Sequence, residues 1–199
     1  MKMPLPQGLA ALALLLAAAC AAAAPKTYSA SLSGAAEVPP NASPGSGHVT
    51  VVFDLSAHSL YIDADFAGLL GHTTAAHIHC CTAAPLSGTA GVATMLPTFT
   101  GFPSGVHAGD YYASFDTSLA ATWNPSFITS HGGTTAGAEA ALLAGLDGRR
   151  AYFNIHSDSF TSGEIRGNLA PVPEPSMALM LGAALPWAIA SIRRQRRNR

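Results

Sequence analysis

Cysteine and charge are both scarce in this sequence of 199 residues. The only cysteines are at positions 20, 80 and 81, so no framework of long-range disulfides can hold the fold together. Charged residues make up 11% of the chain, and residues 26–170 contain four basic and ten acidic residues, a net charge of about −6. An acidic segment without a basic patch argues against a nucleic-acid partner. The core must therefore be stabilised by burial of apolar side chains.

Several sequence patterns typical of enzymes are also missing. The chain has no glycine-rich phosphate loop, no Gly-x-Ser-x-Gly nucleophile elbow and no evident pair of carboxylates for acid–base chemistry. These absences argue against nucleotide-dependent enzymes, serine hydrolases and glycosidases. We therefore expect a protein that is not an enzyme and that needs no cofactor.

The N-terminus has the three parts of a secretory signal peptide. Lys2 is followed by an apolar run over Leu9–Ala19 and then by small residues up to Ala24. Eleven apolar residues are too few to cross about 30 Å of hydrocarbon. Residues 1–24 are thus predicted to be removed on export, and lipidation at Cys20 is an alternative fate.

The C-terminus combines a short motif, an apolar stretch and a basic cluster. Val172, Pro173, Glu174 and Pro175 precede the uncharged segment Ser176–Ile192, which is long enough for a transmembrane helix. Five arginines follow and would keep the end of the chain in the cytoplasm: Arg193, Arg194, Arg196, Arg197 and Arg199.

This three-part tail, residues 171–199, resembles the PEP-CTERM sorting signal. The resemblance implies a Gram-negative bacterium in which an exosortase-type protease cuts the tail near Pro-Glu-Pro. The precursor would be anchored in the inner membrane, and the processed protein would reach the cell surface or the extracellular matrix. Proteins with this signal are associated with exopolysaccharide and biofilm.

Between the two ends, residues 26–170 form one candidate domain with the pattern of an all-β protein. In His48–Leu55 and Leu60–Phe66 apolar and polar side chains alternate, which places one face of each strand in a core. Asn124-Pro125 is typical of a helix start, and Ala136–Leu146 is predicted to be a short inserted helix. We expect an antiparallel β-sandwich or barrel. The other predicted strands are Tyr28–Leu32, Thr74–Cys80, Val92–Leu96, Asp110–Phe115, Arg149–His156 and Glu164–Leu169.

Three histidines are predicted to converge on one side of this sheet. Strand alternation puts His77 and His79 on the same face and Ile78 on the other. A hairpin over Ser157–Ser162 would bring His156 beside Glu164 and Arg166.

The favoured interpretation is a metal-free polar network in which the histidines bond to Asn154, Glu164 and Arg166. Two alternatives remain open. One is a Zn or Cu site with His77, His79 and His156 as ligands, and the other is catalysis. Cys80 and Cys81 are predicted to be thiols on opposite faces, with extra metal ligands or a vicinal disulfide as alternatives.

The core resembles the CHRD domain, which is named after chordin and also occurs in exported bacterial proteins. The matching pieces are AAHIH (75–79), AYFNIHS (151–157), GEIRGNL (163–169) and the opening YSASLSGAAEVPP (28–40). Cys80-Cys81 stands where many members have glycine. The resemblance implies a fold and a site but no reaction. The alternative function is a metal-binding redox protein similar to copper–zinc superoxide dismutase, which also has His-x-His on a strand.

Overall fold

The computed structural model describes residues 24–173, which form a mostly β domain. The strands are β1 (Lys26–Ser33), β2 (Ser46–Asp54), β3 (Ser59–Ala67), β4 (Thr73–Cys80), β5 (Gly109–Asp116), β6 (Ala151–Ser157), β7 (Ile165–Asn168) and β8 (Ala170–Pro171). The helices are α1 (Pro125–Ser130) and α2 (Thr135–Asp147), with single 3₁₀ turns at Gly34–Ala36 and Ala120–Thr122. The predicted signal peptide, apart from Ala24, lies outside the described residues. So does the predicted tail from Glu174 onward.

All eight strands belong to one curled antiparallel sheet. The strand order is β4-β6-β7-β1-β2-β3-β5, and β8 pairs with β1. The predicted all-β class is therefore confirmed, with a single curled sheet as the architecture. Within residues 24–173 no helix has the length and apolar character needed to cross a membrane. The predicted transmembrane segment lies beyond these residues.

Alternating side chains decide which face of the sheet forms the core. Val49, Val51 and Phe53 on β2 are at most 1% exposed, whereas Thr50 and Val52 between them are only half-buried. The same alternation on β3 buries Leu60, Ile62, Ala64 and Phe66. The predicted inward faces of β2 and β3 are thus confirmed, except that Leu55 lies beyond the end of β2 and is half-buried.

The prediction of a strand at Val92–Leu96 is wrong. This segment makes only isolated bridges, from Val92 to His79 and from Thr94 to Trp123. Ala93, Thr94 and Met95 are all buried. The two bridges go to different partners, so the segment forms no continuous ladder with a neighbouring strand. It lies instead against the edge strand β4, where the Ala93 amide donates a hydrogen bond to the Ile78 carbonyl.

The predicted helix start and inserted helix are both confirmed. The Asn124 side chain caps α1 by accepting from the Ser126 amide, and Pro125 takes the first helical position. Helix α2 extends one residue further at each end than predicted, and Thr134 caps it by accepting from the Gly137 amide. Its buried positions recur every three or four residues: Ala138, Glu139, Leu142, Gly145 and Leu146.

The prediction of two thiols on opposite faces at Cys80 and Cys81 is wrong, because the structure contains a disulfide between them. Strand alternation does not extend past Cys80, where β4 ends. Both sulfurs therefore lie on the same side, against α2. Cys81 Sγ is 3.6 Å from the Ala141 carbonyl oxygen, and the Gly145 backbone faces both sulfurs.

We expect Gly145→Ala to lower the free energy of unfolding by about 1–3 kcal/mol, which is typical of overpacking. A Cβ at position 145 would lie within 3.0 Å of both Cys80 Sγ and Cys81 Sγ. This clash should outweigh the gain in helix propensity of up to about 1 kcal/mol. Urea unfolding would measure it. Ala140→Gly on the exposed face of α2 is the control for propensity alone. A Gly145→Ala protein more stable than wild type would contradict the packing.

Candidate functional site

The three strands β4, β6 and β7 are buried on both faces. Their core face carries Ala76, Ile78, Phe153, Ile155 and Ile165, all fully buried. The opposite face is polar and nearly as well covered. Its members are His77 and His79 on β4, Tyr152, Asn154 and His156 on β6, and Arg166 on β7. Polar side chains buried in this way require hydrogen-bond partners within the protein.

Most of the partners come from two loops that lie over this face. Carbonyl oxygens of Gly88, Ala90 and Pro97, in the segment between β4 and β5, accept hydrogen bonds from the polar face. The Ala36 carbonyl, after β1, accepts from the Arg166 Nε. Covering loops, rather than a second sheet, therefore enclose the site.

His77, His79 and His156 converge, as the strand parity predicts. Their ring centroids are 5.9 Å apart for His77 and His79, 5.3 Å for His77 and His156, and 5.8 Å for His79 and His156. One nitrogen from each ring lies within 4.8 Å of the corresponding nitrogen of the other two. The antiparallel register of β4 and β6, which sets His79 opposite Tyr152 and Ala75 opposite His156, produces this arrangement.

The predicted hydrogen bonds from the histidines to Asn154, Glu164 and Arg166 do not form. Each imidazole instead pairs with a backbone carbonyl: His77 Nε2 with Pro97 at 2.7 Å, His79 Nδ1 with Ala90 at 2.9 Å, and His156 Nδ1 with Thr161 at 3.0 Å. A carbonyl oxygen can only accept, so the nitrogen that faces it must carry the proton. The hydrogen bonds thereby specify the tautomer of all three neutral rings.

Within residues 24–173, the second nitrogen of each ring has no hydrogen-bond partner. These atoms are His77 Nδ1, His79 Nε2 and His156 Nε2, and all three are buried. Burial lowers the pKa of His77 and of His79 to about 4 and also lowers the pKa of His156, so the rings are neutral at pH 7. Each ring of this close cluster thus keeps one nitrogen lone pair without a described partner. Imidazole nitrogens in such a set can accept hydrogen bonds or bind a metal ion.

Arg166 joins the sheet to both covering loops. Its side chain is only 2% exposed, and it donates from Nε to Ala36 at 2.6 Å and from Nη2 to Gly88 at 3.0 Å. Its guanidinium lies 4.4 Å from the centroid of the Tyr152 ring, and the Tyr152 ring stacks on His79 at 4.7 Å. Arg166 therefore positions His79 through Tyr152 and does not bond to the imidazole.

Glu37 is a further buried acidic residue of this face, and the strand pattern does not predict it as part of the site. Its side chain is 7% exposed and accepts from Asn154 Nδ2 at 3.5 Å. Burial raises the pKa of Glu37 to about 7, although the nearby Arg166 charge acts in the opposite direction. Gly163 makes room for this pair, because a Cβ there would lie within 3.0 Å of both Asn154 and Glu37. The only sequence signal is the position of Glu37 within the opening motif 28–40.

Glu164 belongs to a different set of contacts from the one predicted. Its fully buried carboxylate accepts from Ser43 Oγ at 2.7 Å and from the amides of Leu70 and Gly71. Burial opposes ionisation, but hydrogen bonds from Ser157, Ser43, Leu70 and Gly71 outweigh it and lower the pKa of Glu164. Glu164 thus links loops to the start of β7 and makes no hydrogen bond to a described histidine.

A family model for the CHRD domain matches residues 28–169. No curated protein and no solved structure matches the chain. The matched range runs from β1 to the residue after β7 and includes the complete histidine cluster with its covering loops. More than half of the sequence lies in this match, and the chain therefore belongs to the CHRD domain family.

Proposed function

We propose that this chain is an exported, non-enzymatic protein of the cell envelope or extracellular matrix of a Gram-negative bacterium. The CHRD domain would be the part that remains outside the cell. The tail would hold the precursor in the inner membrane until an exosortase-type protease removes it. Membership of the CHRD family is consistent with an extracellular type of domain. Association with exopolysaccharide in a biofilm is the proposed destination, as the resemblance of the tail implies.

The last described backbone hydrogen bonds of the domain carry this proposal. Strand β8 pairs with β1 through Pro171 opposite Tyr28, and the Val172 amide donates to the Thr27 carbonyl at 2.9 Å. Val172 is the last described residue with a backbone hydrogen bond to the domain, and the next three residues are Pro173-Glu174-Pro175. Proline lacks the N–H needed to continue this pairing. A protease acting at the Pro-Glu-Pro motif would therefore leave every strand of the domain intact.

The alternative function is a metal-dependent redox protein resembling copper–zinc superoxide dismutase. The convergence of His77, His79 and His156 is the observation that favours it. A two-metal centre needs a second group of ligands, and residues 24–173 contain only this one group of three. Superoxide dismutation by the copper-loaded protein, above that of the free ion, would favour the alternative.

We expect tail processing to depend on the Pro-Glu-Pro motif. The full-length protein, expressed with and without the sorting protease, would be compared with a variant in which Pro173, Glu174 and Pro175 are alanine. The wild type should lose its C-terminus and move from the membrane to the surface or exopolysaccharide fraction, whereas the variant should remain in the membrane at full length. Mass spectrometry of each fraction measures both the mass and the location.

A second variant separates membrane orientation from cleavage. Replacing the five terminal arginines with glutamine removes the positive-inside signal but leaves the motif intact, so retention or orientation of the precursor should be impaired. Full-length protein with an intact C-terminus on the surface of protease-containing cells would contradict the sorting proposal.

A further inference from the structure

In the described part of the chain, the three histidines form a cluster of acceptors without a donor. His77 Nδ1, His79 Nε2 and His156 Nε2 are each buried and have no hydrogen-bond partner among residues 24–173. One nitrogen of each ring lies within 4.8 Å of one nitrogen of each of the other two rings. The hydrogen bonds to Pro97, Ala90 and Thr161 hold the proton on the other nitrogen of each ring. Moving the proton to the other nitrogen of each ring would therefore break three existing hydrogen bonds. Leaving the acceptors unpaired is costly, since a buried polar group without a partner has lost its hydrogen bonds to water and gained none in return.

Neither a proton nor a single water molecule satisfies this cluster. A water molecule has two hydrogens and can donate to only two of the three nitrogens. An added proton would make one imidazolium, which could donate to one neighbour and would leave the third nitrogen unpaired. It would also place a charge on a ring that is 5% exposed for His77 or 8% exposed for His79. A cation that accepts three lone pairs at once has neither defect.

We propose that His77, His79 and His156 bind one Zn²⁺ or copper ion as its three protein ligands. Imidazole nitrogen is a preferred ligand for both ions, and three histidines form an established tetrahedral set with one position left for a water molecule. With metal–nitrogen bonds of about 2.0–2.1 Å, the nitrogens of a tetrahedral site are about 3.3 Å apart. The nitrogens offered by the three rings are at most 4.8 Å apart in this structure, so no two of them need to approach each other by more than about 1.5 Å.

The surroundings have the features of a metal-ligand shell. Each ligand ring donates its other N–H to a carbonyl, as metal-binding histidines almost always do. Tyr152 stacks on His79 with an interplanar angle of 5°, which restrains that ring. The nearby carboxylates are engaged elsewhere, Glu37 with Asn154 and Glu164 with Ser43 and two amides. A ligand set without oxygen excludes Mg²⁺ and Ca²⁺ as the preferred ions.

The test uses the protein expressed from the full-length sequence without an affinity tag and purified after export. Protein stripped by a chelator would be dialysed against Zn²⁺, Cu²⁺ or Mg²⁺ in separate samples. We expect about one Zn²⁺ or Cu²⁺ per chain by elemental analysis, a higher melting temperature with either ion, and no change with Mg²⁺. Separate loading shows which of the two ions stabilises the protein more.

Two ligand variants and one control make the result specific. His79→Ala and His156→Ala should each bind the ion at least about tenfold more weakly and lose the thermal shift. His156 is only half-buried, so its variant keeps the test valid if His79→Ala does not fold. The control is His72→Ala, because His72 and His107 form a second imidazole pair at 4.3 Å and His72 is exposed. Binding below about a tenth of an ion per wild-type chain, or binding lost with His72 and retained without His79 and His156, would overturn the proposal.

Discussion

Val51→Asp is expected to prevent stable folding, with a loss of at least about 5 kcal/mol in the free energy of unfolding. Val51 is 0% exposed and lies at the centre of the sheet, opposite Tyr28 on β1 and Ile62 on β3. A carboxylate there would have no charged or hydrogen-bonding partner among its buried apolar neighbours. Soluble yield and far-ultraviolet circular dichroism would measure the effect.

The adjacent residue supplies the matched control. Val52 is half-buried on the other face of β2, between Thr27 and Tyr61. Val52→Asp therefore leaves the core unchanged and should cost no more than about 1 kcal/mol, mostly through lower strand propensity. Equal losses for the two substitutions would show that the alternation of β2 does not determine its buried face.

Glu164→Ala is expected to lower the free energy of unfolding by about 3–5 kcal/mol at pH 7. The carboxylate is 0% exposed, and its removal leaves Ser43 Oγ and the amides of Leu70 and Gly71 without their acceptor. Urea unfolding would measure the loss. Asp65→Ala is the control, because Asp65 is exposed on β3 and its replacement should change stability by less than about 0.5 kcal/mol.

The Glu164 contribution should also depend on pH. The pKa of Glu164 is lowered in the folded protein, so its ionised form stabilises the fold above the ordinary carboxyl pKa. This stabilisation is lost as the pH falls through the folded pKa. The stability difference between wild type and Glu164→Gln should therefore shrink in acid. A difference that grows as the pH falls would contradict the ionised carboxylate.

The sequence alone was sufficient to predict the β class, the inward faces of β2 and β3, and the capped start of α1. These features depend on local rules, namely the two-residue period of a strand and the preference of Asn-Pro for a helix start. The same period predicts that His77 and His79 share a face. Partners within the site follow no such rule. The Pro97 and Ala90 carbonyls reach the histidines from a loop that shows no periodicity in sequence.

Only the tertiary structure decided which groups the polar side chains contact. The predicted hairpin places Glu164 beside His156, yet the Glu164 carboxylate accepts hydrogen bonds from Ser43 and from loop amides near residue 70. Glu37 is the acid that accepts a hydrogen bond from Asn154. Cys80 and Cys81 likewise depart from alternation because their strand ends between them. The physical reason is that local backbone geometry determines the face on which a side chain lies. Its hydrogen-bond partner depends on which distant loop folds over that face.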